Sequence, residues 1–402
     1  MKMLLVIDGM HPRSGGPPAV VAGSARGLRV RGHDVTVLST VNAGEEQEVM
    51  ATWGAMLADG VRLVFVAPQG LGALFGRTQD DTVVQREVSA ADVVHLHGLW
   101  NPVLVLAGKH ARRAGVPYVI SVHGVLDHRA IRRIPRKWLK KRLAIELFDL
   151  RGLLAHSPSV IFGSEAEIQQ SWLPARKLRL NVVPNGAARE LGTVAPTDEM
   201  MQQLHAVAPA CRNWRRTLLC RSRIHEDKGL DMVVEAFNEV APDFPGAGLL
   251  IAGMKQDIAY QHKVEALIAG GPVAERIVLT TELTGPRSQF LYLAADVFLL
   301  PSVAEGFSMA LIEALANGRP VLITRYCHMP EIEKSGAGVV VDPSADQIAA
   351  GLRRLLSLSN TELTAMGANA RRLFEENYTW DRVCEQLERT YEEARRCPSI
   401  SA

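Results

Sequence analysis

This sequence is poor in cysteine and in aromatic residues, and it has no long apolar run. Its five cysteines are scattered among 402 residues without a Cys-x-x-Cys pair. That pattern favours a reducing compartment, so we expect a cytoplasmic protein whose cysteines are core or surface residues rather than ligands. No apolar stretch approaches the roughly 20 residues that a membrane-spanning helix requires. An integral membrane protein is therefore not expected.

The N-terminal segment MKMLLVIDGM also lacks the features of a signal peptide. It has one lysine and only five apolar residues before Asp8, whereas a signal peptide carries an apolar core of about 7 to 15 residues. We expect these residues to form a buried first strand. The composition, with 47% hydrophobic and 22% charged residues, is that of a folded globular protein. A length of 402 residues predicts two domains of about 150 to 200 residues each.

Charge is balanced over the whole chain but not along it. The formal net charge is +2, yet residues 1–190 hold 24 basic against 16 acidic side chains, and the remainder holds 21 against 27. Much of the excess lies in Arg129–Arg142, which has eight basic residues and no acidic one. A solvated helical face or an anionic membrane surface would each explain this segment, and no nucleic-acid partner is predicted. The membrane interpretation depends on an apolar stripe at helical spacing, formed by Ile131, Ile134, Trp138 and Leu139.

Short β-branched runs alternate with segments of helical spacing along the chain. The runs are MLLVID, DVTVLS, VRLVFVA, DVVHLH, PYVISVH and SVIFGS in the first half, and TLLCRS, GLLIAG, RIVLTT, DVFLLPS, PVLIT and AGVVVD in the second. Such alternation predicts a mostly parallel, doubly wound sheet in each half. The pattern loosens near residues 186–212, where we place a linker. We therefore predict an α/β protein with domains at 1–190 and 191–375, followed by a C-terminal helix in 376–402.

The C-terminal segment YTWDRVCEQLERTYEEARR predicts a helix with one apolar side. That side is formed by Trp380, Val383, Leu387 and Tyr391. Because an apolar helix side must be covered, we expect it to pack on another part of the protein.

Two glutamates bracket the point at which a predicted strand gives way to a predicted helix. The strand DVFLLPS is followed by Glu305, Gly306-Phe307-Ser308 and a helix that contains Glu313. Ligands gather at the carboxyl ends of strands in doubly wound sheets, and a helix N-terminus favours a phosphate. Glu313 lies about 9 Å further along the helix, from a rise of roughly 1.5 Å per residue. This distance suits a nucleotide-sugar diphosphate, although the spacing alone would favour an ordinary helix residue and a surface carboxylate.

Two cations follow another predicted strand, and they favour a ligand site over these ordinary roles. The stretch Arg221–Phe237 runs from TLLCR through a polar turn into a helix, which places Arg223 and Lys228 at the carboxyl end of a strand. A guanidinium fork and an ammonium group together neutralise a diphosphate leaving group. Either residue alone would suit an exposed loop, but the pair together with the acidic turn predicts a diphosphate site.

These motifs resemble those of one enzyme family. The stretches SRIHEDKGLDMVVEAF, ADVFLLPSVAEGFSMALIEALANGRPVLIT and VVPNGA are similar to the retaining glycosyltransferases of family 4, the group 1 family, which have the GT-B fold. In the first half, SGGPPAVVAGSARGLRVRGHDVTVLS, VVHLHG and VISVHG are similar to the acceptor domain of that family. The resemblance implies two Rossmann-like domains that face each other across a cleft, with the C-terminal helix crossing back onto the first. It also implies hexose transfer with retention at the anomeric carbon.

The resemblance implies catalytic roles for four of the matching residues. Arg223 and Lys228 would contact the donor diphosphate and stabilise the departing charge. Glu305 would bind hydroxyls of the transferred sugar, and His123 would face that sugar. Glu313 would hold the ribose.

Backbone positions complete the implied donor site. The chain departs from the family pattern at Ser222, Thr281 and Ser308, where glycine is usual, and the change at Thr281 affects the base pocket around Glu282. Gly253 ends a strand and would border the nucleotide, although it equally suits a simple turn. The other implied donor-binding residues are Gly15 and Gly16 of the first loop, Leu283 of the base pocket, and Gly306, Phe307 and Ser308 at the helix start.

Metal-binding patterns are weak in this sequence. There is no Asp-x-Asp pair, so the chain shows no sign of a metal-diphosphate clamp, and the cationic pair would substitute for it. We expect no metal and no cofactor besides the nucleotide-diphosphate sugar, which is the donor substrate. His95 and His97 share one face of a strand, but without supporting Cys, Asp or Glu a structural role is favoured over metal binding.

The leading hypothesis is a membrane-associated transferase that moves a hexose from a nucleotide sugar to a glycan or lipid-linked acceptor. Surface polysaccharide or lipopolysaccharide biosynthesis would use such an enzyme at the inner face of the plasma membrane. One alternative is a GT-B nucleotide-sugar epimerase, which needs no acceptor. Another is a non-catalytic sugar-binding or nucleotide-binding component of a transferase complex. The intact set of Arg223, Lys228, Glu305 and Glu313 favours catalysis over binding alone.

Overall fold

The chain folds into two α/β units. The computed structural model describes residues 1–11, 16–68, 79–126, 145–146, 149–173, 178–193, 196–282 and 290–396. Unit 1 comprises Met1–Gly186 together with the segment that begins at Trp380, and unit 2 comprises Ala187–Thr379. Each unit contains one parallel sheet with helices, so the predicted α/β class with two doubly wound sheets is confirmed. Across these described ranges, no helix combines the length and the apolar character needed to span a bilayer.

The sheet of unit 1 has seven described strands in the order β3-β2-β1-β4-β5-β6-β7, all parallel. Side chains of β1 alternate between two hydrophobic clusters, because both faces of a parallel sheet are covered. The strand order reverses between β1 and β4, which is where ligands bind in such sheets. The strands are β1 Lys2–Ile7, β2 Asp34–Thr40, β3 Arg62–Val66, β4 Val93–His97, β5 Tyr118–Ser121, β6 Ser159–Phe162 and β7 Leu180–Val182.

The helices of unit 1 show ordinary start and stop signals. Asn101 accepts a hydrogen bond from the backbone N–H of Val103 and caps the helix Pro102–Ala114, which ends at Gly115 in the left-handed region. The described helices are Gly16–Val30, Glu46–Thr52, Gly54–Ala58, Gln79–Ser89, Pro102–Ala114, Leu150–Ala155, Glu165–Gln170 and Trp380–Arg396.

The C-terminal helix Trp380–Arg396 packs against the helix Gly16–Val30 within unit 1. Gly23 permits the close approach, because a Cβ atom at that position would stand 2.1 Å from Cε2 of Trp380. The apolar side predicted for this helix is observed: Trp380 is partly buried, and the buried residues include Val383, Leu387 and Tyr391.

The sheet of unit 2 has six described strands in the order β10-β9-β8-β11-β12-β13, again parallel. Hydrophobic clusters cover both of its faces. Here the strand order reverses between β8 and β11, so these two strands define the switch point. The strands are β8 Arg216–Arg221, β9 Ala247–Ala252, β10 Ile277–Thr280, β11 Val297–Leu300, β12 Val321–Thr324 and β13 Gly338–Val341.

One helix of unit 2, Asp198–Val207, lies inside the segment that we predicted to be a linker. Thr197 caps it by accepting from the N–H of Met200, and only Leu204 is buried. Pro196 and Pro209 flank this helix, and prolines at such spacing indicate a loop, which is why the sequence pattern predicted a linker. The described α-helices of unit 2 are Asp198–Val207, Leu230–Val240, Ile258–Ala269, Phe290–Ala294, Met309–Ala316, Glu331–Lys334, Ala345–Leu356 and Asn360–Asn377.

Four of the five cysteines lie within the described residues, and all four are free and buried. Burial raises the pKa of each of their thiols to about 12. Such thiols are protonated and inert at neutral pH. The four are Cys211, Cys220, Cys327 and Cys384, whereas Cys397 lies outside the described residues.

Candidate active site

The loops that follow β8 and β11 meet at the carboxyl edge of the second sheet. The N–H of Val303 donates to the carbonyl oxygen of Asp227. Lys228 Nζ donates to Glu305 Oε2 over 2.5 Å, and the two side chains are only 9% and 10% exposed. Ser302 Oγ donates to the same carboxylate oxygen over 3.0 Å. The switch point therefore carries a nearly buried cation and anion in direct contact.

The backbone around Lys228 explains why lysine is followed by glycine. His225 Nδ1 accepts from the N–H of Asp227 and caps the 3-10 helix Glu226–Lys228. Gly229 then adopts φ +62°, and a Cβ atom there would stand 2.3 Å from the carbonyl oxygen of Pro301. Glycine is required on both grounds, and the resulting turn fixes the direction of Lys228.

Arg223 lies in the same loop as Lys228 but differs from it in burial and in contacts. Its side chain is exposed, and within the described ranges it forms no hydrogen bond or ion pair. Beside it, Gly253 packs so closely that a Cβ atom would stand 1.6 Å from the carbonyl oxygen of Ser222. This contact gives Gly253 a structural reason that is independent of any nucleotide. Arg223 is thus a cation whose charge is available to a ligand.

The helix Met309–Ala316 begins where the sequence predicted. Ser308 is its N-cap, and Ser308 Oγ accepts from the N–H of Leu311 over 3.3 Å. The first-turn N–H groups of a helix lack intrahelical partners and favour an anion. Phe307 packs against the core, while Gly306 separates it from Glu305. The helix start and the Lys228–Glu305 pair therefore lie in one loop.

Glu313 belongs to a polar cluster that we did not predict. Arg221 Nη1 lies 2.7 Å from Glu313 Oε2, and the hydroxyl of Tyr292 donates to the same oxygen over 2.9 Å. Burial alone would lower the pKa of the Arg221 guanidinium. Its interactions with Tyr292 and Glu313 have the larger combined effect, so the pKa is raised. Burial also raises the pKa of Tyr292 well above its usual value. The cluster holds the Glu313 carboxylate in a fixed direction.

In unit 1, the structure brings His97 and His123 together at the carboxyl edge of the first sheet. His97 ends β4, and His123 follows β5 with its Nε2 atom 3.0 Å from His97 Nδ1. Gly16 begins the helix that follows β1, at the same edge. These residues occupy the switch point of their own sheet.

The contacts of His95 indicate a structural role rather than metal binding. Its Nδ1 atom lies 2.7 Å from the hydroxyl of Tyr391, and its Nε2 atom lies 2.7 Å from Ser121 Oγ. Both ring nitrogens are therefore engaged by the protein. Burial lowers the pKa of His95 to about 3 and that of His123 to about 4, so both rings are neutral at physiological pH. In the described part of the chain, no group of three or more His, Cys, Asp or Glu residues is arranged to hold a metal ion.

Sequence reasoning missed Arg221, Tyr292 and Ser302, although one signal was present. Arg221 is a charged residue that directly ends the apolar strand β8, a position from which a cation reaches the carboxyl edge of the sheet. Three of the predicted features, Gly15, Leu283 and the segment Arg129–Arg142, lie outside the described residues.

Comparison with known families matches both units. Residues 15–186 match the family described as "Glycosyl transferase 4-like domain", and residues 210–373 match "Glycosyl transferases group 1". The two matches together span most of the chain.

Similar proteins include glycosyltransferases that are named for a polyprenol-linked glycan or for a phospholipid. The GDP-mannose:cellobiosyl-diphosphopolyprenol alpha-mannosyltransferase of Xanthomonas campestris is 26% identical over 394 residues, which are 95% of this chain and 94% of that protein. A phosphatidylinositol N-acetylglucosaminyltransferase component of Arabidopsis thaliana is 22% identical over 100% of this chain and 84% of that protein. The crystal structure of HepE from Anabaena, in complex with UDP and glucose, superposes with a TM-score of 0.73 at 18% identity and covers 98% of this chain and 99% of HepE. At that identity the superposition shows a shared fold. This chain belongs to the group 1 glycosyltransferases, a GT4-like family.

Proposed function

We propose that this glycosyltransferase moves a hexose from a nucleotide-diphosphate sugar to a glycan or lipid-linked acceptor, with retention at the anomeric carbon. The observation that carries the proposal is the Lys228–Glu305 pair, together with Arg223 in the loop of Lys228, whose exposed side chain has no hydrogen-bond or ion-pair partner among the described residues. Two cations suit a diphosphate, and a carboxylate suits sugar hydroxyls. The site combines both at one switch point.

The names of the relatives support the same classes of donor and acceptor. The Xanthomonas relative is named for GDP-mannose and for a cellobiosyl-diphosphopolyprenol, and the Arabidopsis relative is named for phosphatidylinositol. A nucleotide-diphosphate donor and a lipid-linked acceptor in surface polysaccharide or glycolipid assembly are consistent with both.

The proposed chemistry is mainly electrostatic and positional. The bond between the anomeric carbon and the β-phosphate oxygen breaks, and the acceptor oxygen attacks from the same face. The acceptor proton passes to the departing phosphate, whose charge Arg223 and Lys228 stabilise. Glu305 binds hydroxyls of the transferred sugar, and His123 contacts the same sugar, as the family resemblance implies. With two cations on the diphosphate, the proposed reaction needs neither a divalent metal nor a cofactor.

Ligand-induced thermal shifts test the donor site. UDP, GDP, ADP and CMP are compared with and without EDTA on wild-type protein, Arg223→Ala and Arg212→Ala. A ligand at one hundred times its dissociation constant stabilises the protein by about 2.7 kcal/mol, a shift of a few degrees. One diphosphate should stabilise wild type without metal, and Arg223→Ala should lose the effect. Arg212 is the matched control because it is exposed in the same unit but precedes β8 instead of following it.

Catalysis and stereochemistry need a second test. Glu305→Gln should keep nucleotide binding but lose turnover, because the amide cannot replace the charged acceptor of sugar hydroxyls. NMR of the product made by wild type should show the anomeric configuration of the donor. An inverted product would refute retention, and donor conversion without acceptor would favour an epimerase.

We further propose that the protein is cytoplasmic and peripheral on the inner face of the plasma membrane. The support is the sequence of Arg129–Arg142, whose charges would meet anionic lipid. Anionic liposomes at low salt should sediment the wild-type protein. Neutralising Arg132, Arg133, Lys140 and Lys141 together should abolish sedimentation, whereas Arg212→Gln should not. Equal sedimentation of all three proteins would remove the support.

A further inference from the structure

A nearly buried histidine, His97, holds His123 from the neighbouring strand. His97 lies opposite Ser121 in the register of β4 and β5, and His123 follows two residues later. Besides the 3.0 Å contact between their nitrogens, the two rings lie within 12° of parallel. His97 is 4% exposed, whereas His123 is only partly buried. His123 therefore has one side fixed by His97 and another side accessible.

The backbone at His123 is also held in an uncommon conformation. His123 has φ +48° and Gly124 has φ +76°, both in the left-handed region. A residue other than glycine is uncommon there, and such strain persists only where surrounding contacts impose it. The buried carboxylate of Glu167 supplies those contacts, because it accepts from the N–H groups of Gly124 and Gly163, each over 2.7 Å. These contacts together favour one orientation of His123.

The hydrogen bond between the two rings requires one donor and one acceptor. Burial lowers the pKa of both imidazoles, so neither ring carries a second proton at neutral pH. His97 Nε2 is buried and has no hydrogen-bond partner in the described part of the chain. A buried N–H without a partner is rarer than a buried acceptor without one. The arrangement that avoids it places the proton of His97 on Nδ1, from which it donates to His123 Nε2.

We propose that His97 is a positioning residue that fixes His123 in the tautomer with its proton on Nδ1, so that this nitrogen donates a hydrogen bond to a sugar hydroxyl. The substrate part of this inference rests on the proposed function, in which His123 contacts the transferred sugar. The tautomer part does not, because it follows from contacts within unit 1. His97 itself acts through His123 and touches no substrate.

NMR of the full chain labelled with 15N-histidine tests the tautomer directly, without substrate. The signals of His123 are assigned by their loss in His123→Gln. Wild type should show a protonated Nδ1 and an unprotonated Nε2 at His123. His97→Phe keeps a ring but removes the donor, and it should shift His123 towards the Nε2-protonated form. A wild-type His123 protonated on Nε2, or signals unchanged in His97→Phe, would overturn the proposal.

Three further variants separate the hydrogen bond from general packing. In His97→Asn the amide nitrogen takes the place of Nδ1, so this variant should keep the wild-type tautomer. His97→Gln places its amide near the position of Nε2 and should not keep it, which provides a second donor-deletion variant if His97→Phe fails to fold. His95→Phe is the matched control, because it replaces a buried imidazole that packs on the His97 ring at a centroid distance of 3.9 Å and leaves both partners of the bond to His123 in place. A tautomer change in His95→Phe as large as that in His97→Phe would point to general disruption and would overturn the proposal.

Kinetics then test the consequence for the reaction. His97→Phe should lower kcat by about tenfold, the equivalent of one misdirected hydrogen bond. The thermal shift given by the stabilising nucleoside diphosphate should not change, because its proposed contacts lie in unit 2. His97→Asn should recover most of the lost kcat. A changed tautomer with unchanged kcat would show that His97 does not position a substrate contact, whereas an inactive wild type would refute the proposed function and leave the tautomer result standing.

Discussion

Lys228 Nζ stands 2.5 Å from Glu305 Oε2, although 77 positions separate the two residues in the chain. Each side chain is almost completely buried, so each charge depends on the other for compensation. In the proposed complex, Lys228 contacts the diphosphate and Glu305 contacts the sugar. In that complex, one ion pair would therefore join the diphosphate part and the sugar part of the donor site.

The dependence of these two charges on each other can be measured in a double-mutant cycle. Lys228→Met should lower the free energy of unfolding by about 3–5 kcal/mol, because it leaves the nearly buried Glu305 carboxylate without its cation. Lys228→Met combined with Glu305→Gln should cost less than the sum of the single changes. Urea unfolding at neutral pH measures all three. Lys263→Met is the control: its pair with Asp231 has an exposed lysine, so it should cost less than about 1 kcal/mol. Additive costs at Lys228 and Glu305 would show that the pair is not coupled.

The cluster of Arg221, Tyr292 and Glu313 predicts a ranking of two substitutions. Arg221→Met leaves the carboxylate without its cation and should cost about 3–5 kcal/mol of unfolding free energy. Tyr292→Phe removes the hydroxyl that donates to Glu313 and accepts from Arg221 Nη1, but it keeps the ion pair between those two residues and should cost about 1.5–3 kcal/mol. Urea unfolding gives both values, and the reverse order would show that Tyr292 rather than Arg221 sustains the buried carboxylate.

The same cluster predicts how Glu313 contributes to nucleotide binding. If Glu313 contacts the ribose, wild type should bind a ribonucleoside diphosphate more tightly than its 2′,3′-dideoxy form, and Glu313→Gln should lose that preference. Tyr292→Phe should weaken it, because the carboxylate is less firmly directed. Calorimetric titration with the two nucleotides measures the preference. Equal binding of both forms by wild type would show that Glu313 does not contact the ribose.

The sequence predicts the sheets and the position of the site because both follow from local patterns. Apolar runs between turn signals mark the strands, and parallel strands place the loops after them at one edge. This rule alone predicts that Lys228 and Glu305 lie at the same edge of the sheet, whatever the order of the strands. Their direct contact follows from the adjacency of β8 and β11, which the sequence does not state.

Contacts that depend on strand order and side-chain direction were beyond the sequence. Arg221 reaches Glu313 because β8 lies beside β11 and faces the helix that follows it. His97 reaches His123 because β4 pairs with β5 in one particular register. The motif HLH indicates a shared strand face but does not identify the partner across it. Tertiary pairing, rather than local pattern, decides these contacts.

The close approach at Gly253 predicts a loss of donor binding from a small change. Gly253→Ala would place a Cβ atom 1.6 Å from the carbonyl oxygen of Ser222, which is backbone and must move. Because Arg223 follows directly, its guanidinium should shift and nucleotide stabilisation should fall in thermal melts. At Gly270 the nearest atom to an added Cβ is 3.3 Å away, so Gly270→Ala should keep that stabilisation. Unchanged stabilisation in Gly253→Ala would mean that the loop position does not matter to the ligand.

The contact that ties the C-terminal helix to unit 1 predicts a dependence of stability on pH. Arg31 donates through Nε to Glu388 Oε1 over 2.8 Å and through Nη2 to Glu388 Oε2 over 2.7 Å. This bidentate contact, with a further one from His33, lowers the pKa of Glu388 from 4.5. Because the folded pKa lies below the unfolded pKa, the contribution is complete above the unfolded value and is lost as the pH falls through the folded value.

The free energy of unfolding should therefore fall more steeply below pH 4.5 in wild type than in Glu388→Gln, since 4.5 is the usual pKa of this carboxyl. Urea unfolding of both proteins between neutral and acidic pH measures the difference, which should be largest near neutrality and should shrink on acidification. Glu392→Gln is the control on the same helix, because its ion pair with Arg396 is exposed and it should keep the wild-type slope. Parallel curves for wild type and Glu388→Gln would show that Arg31 holds the helix through packing and not through the charge of Glu388.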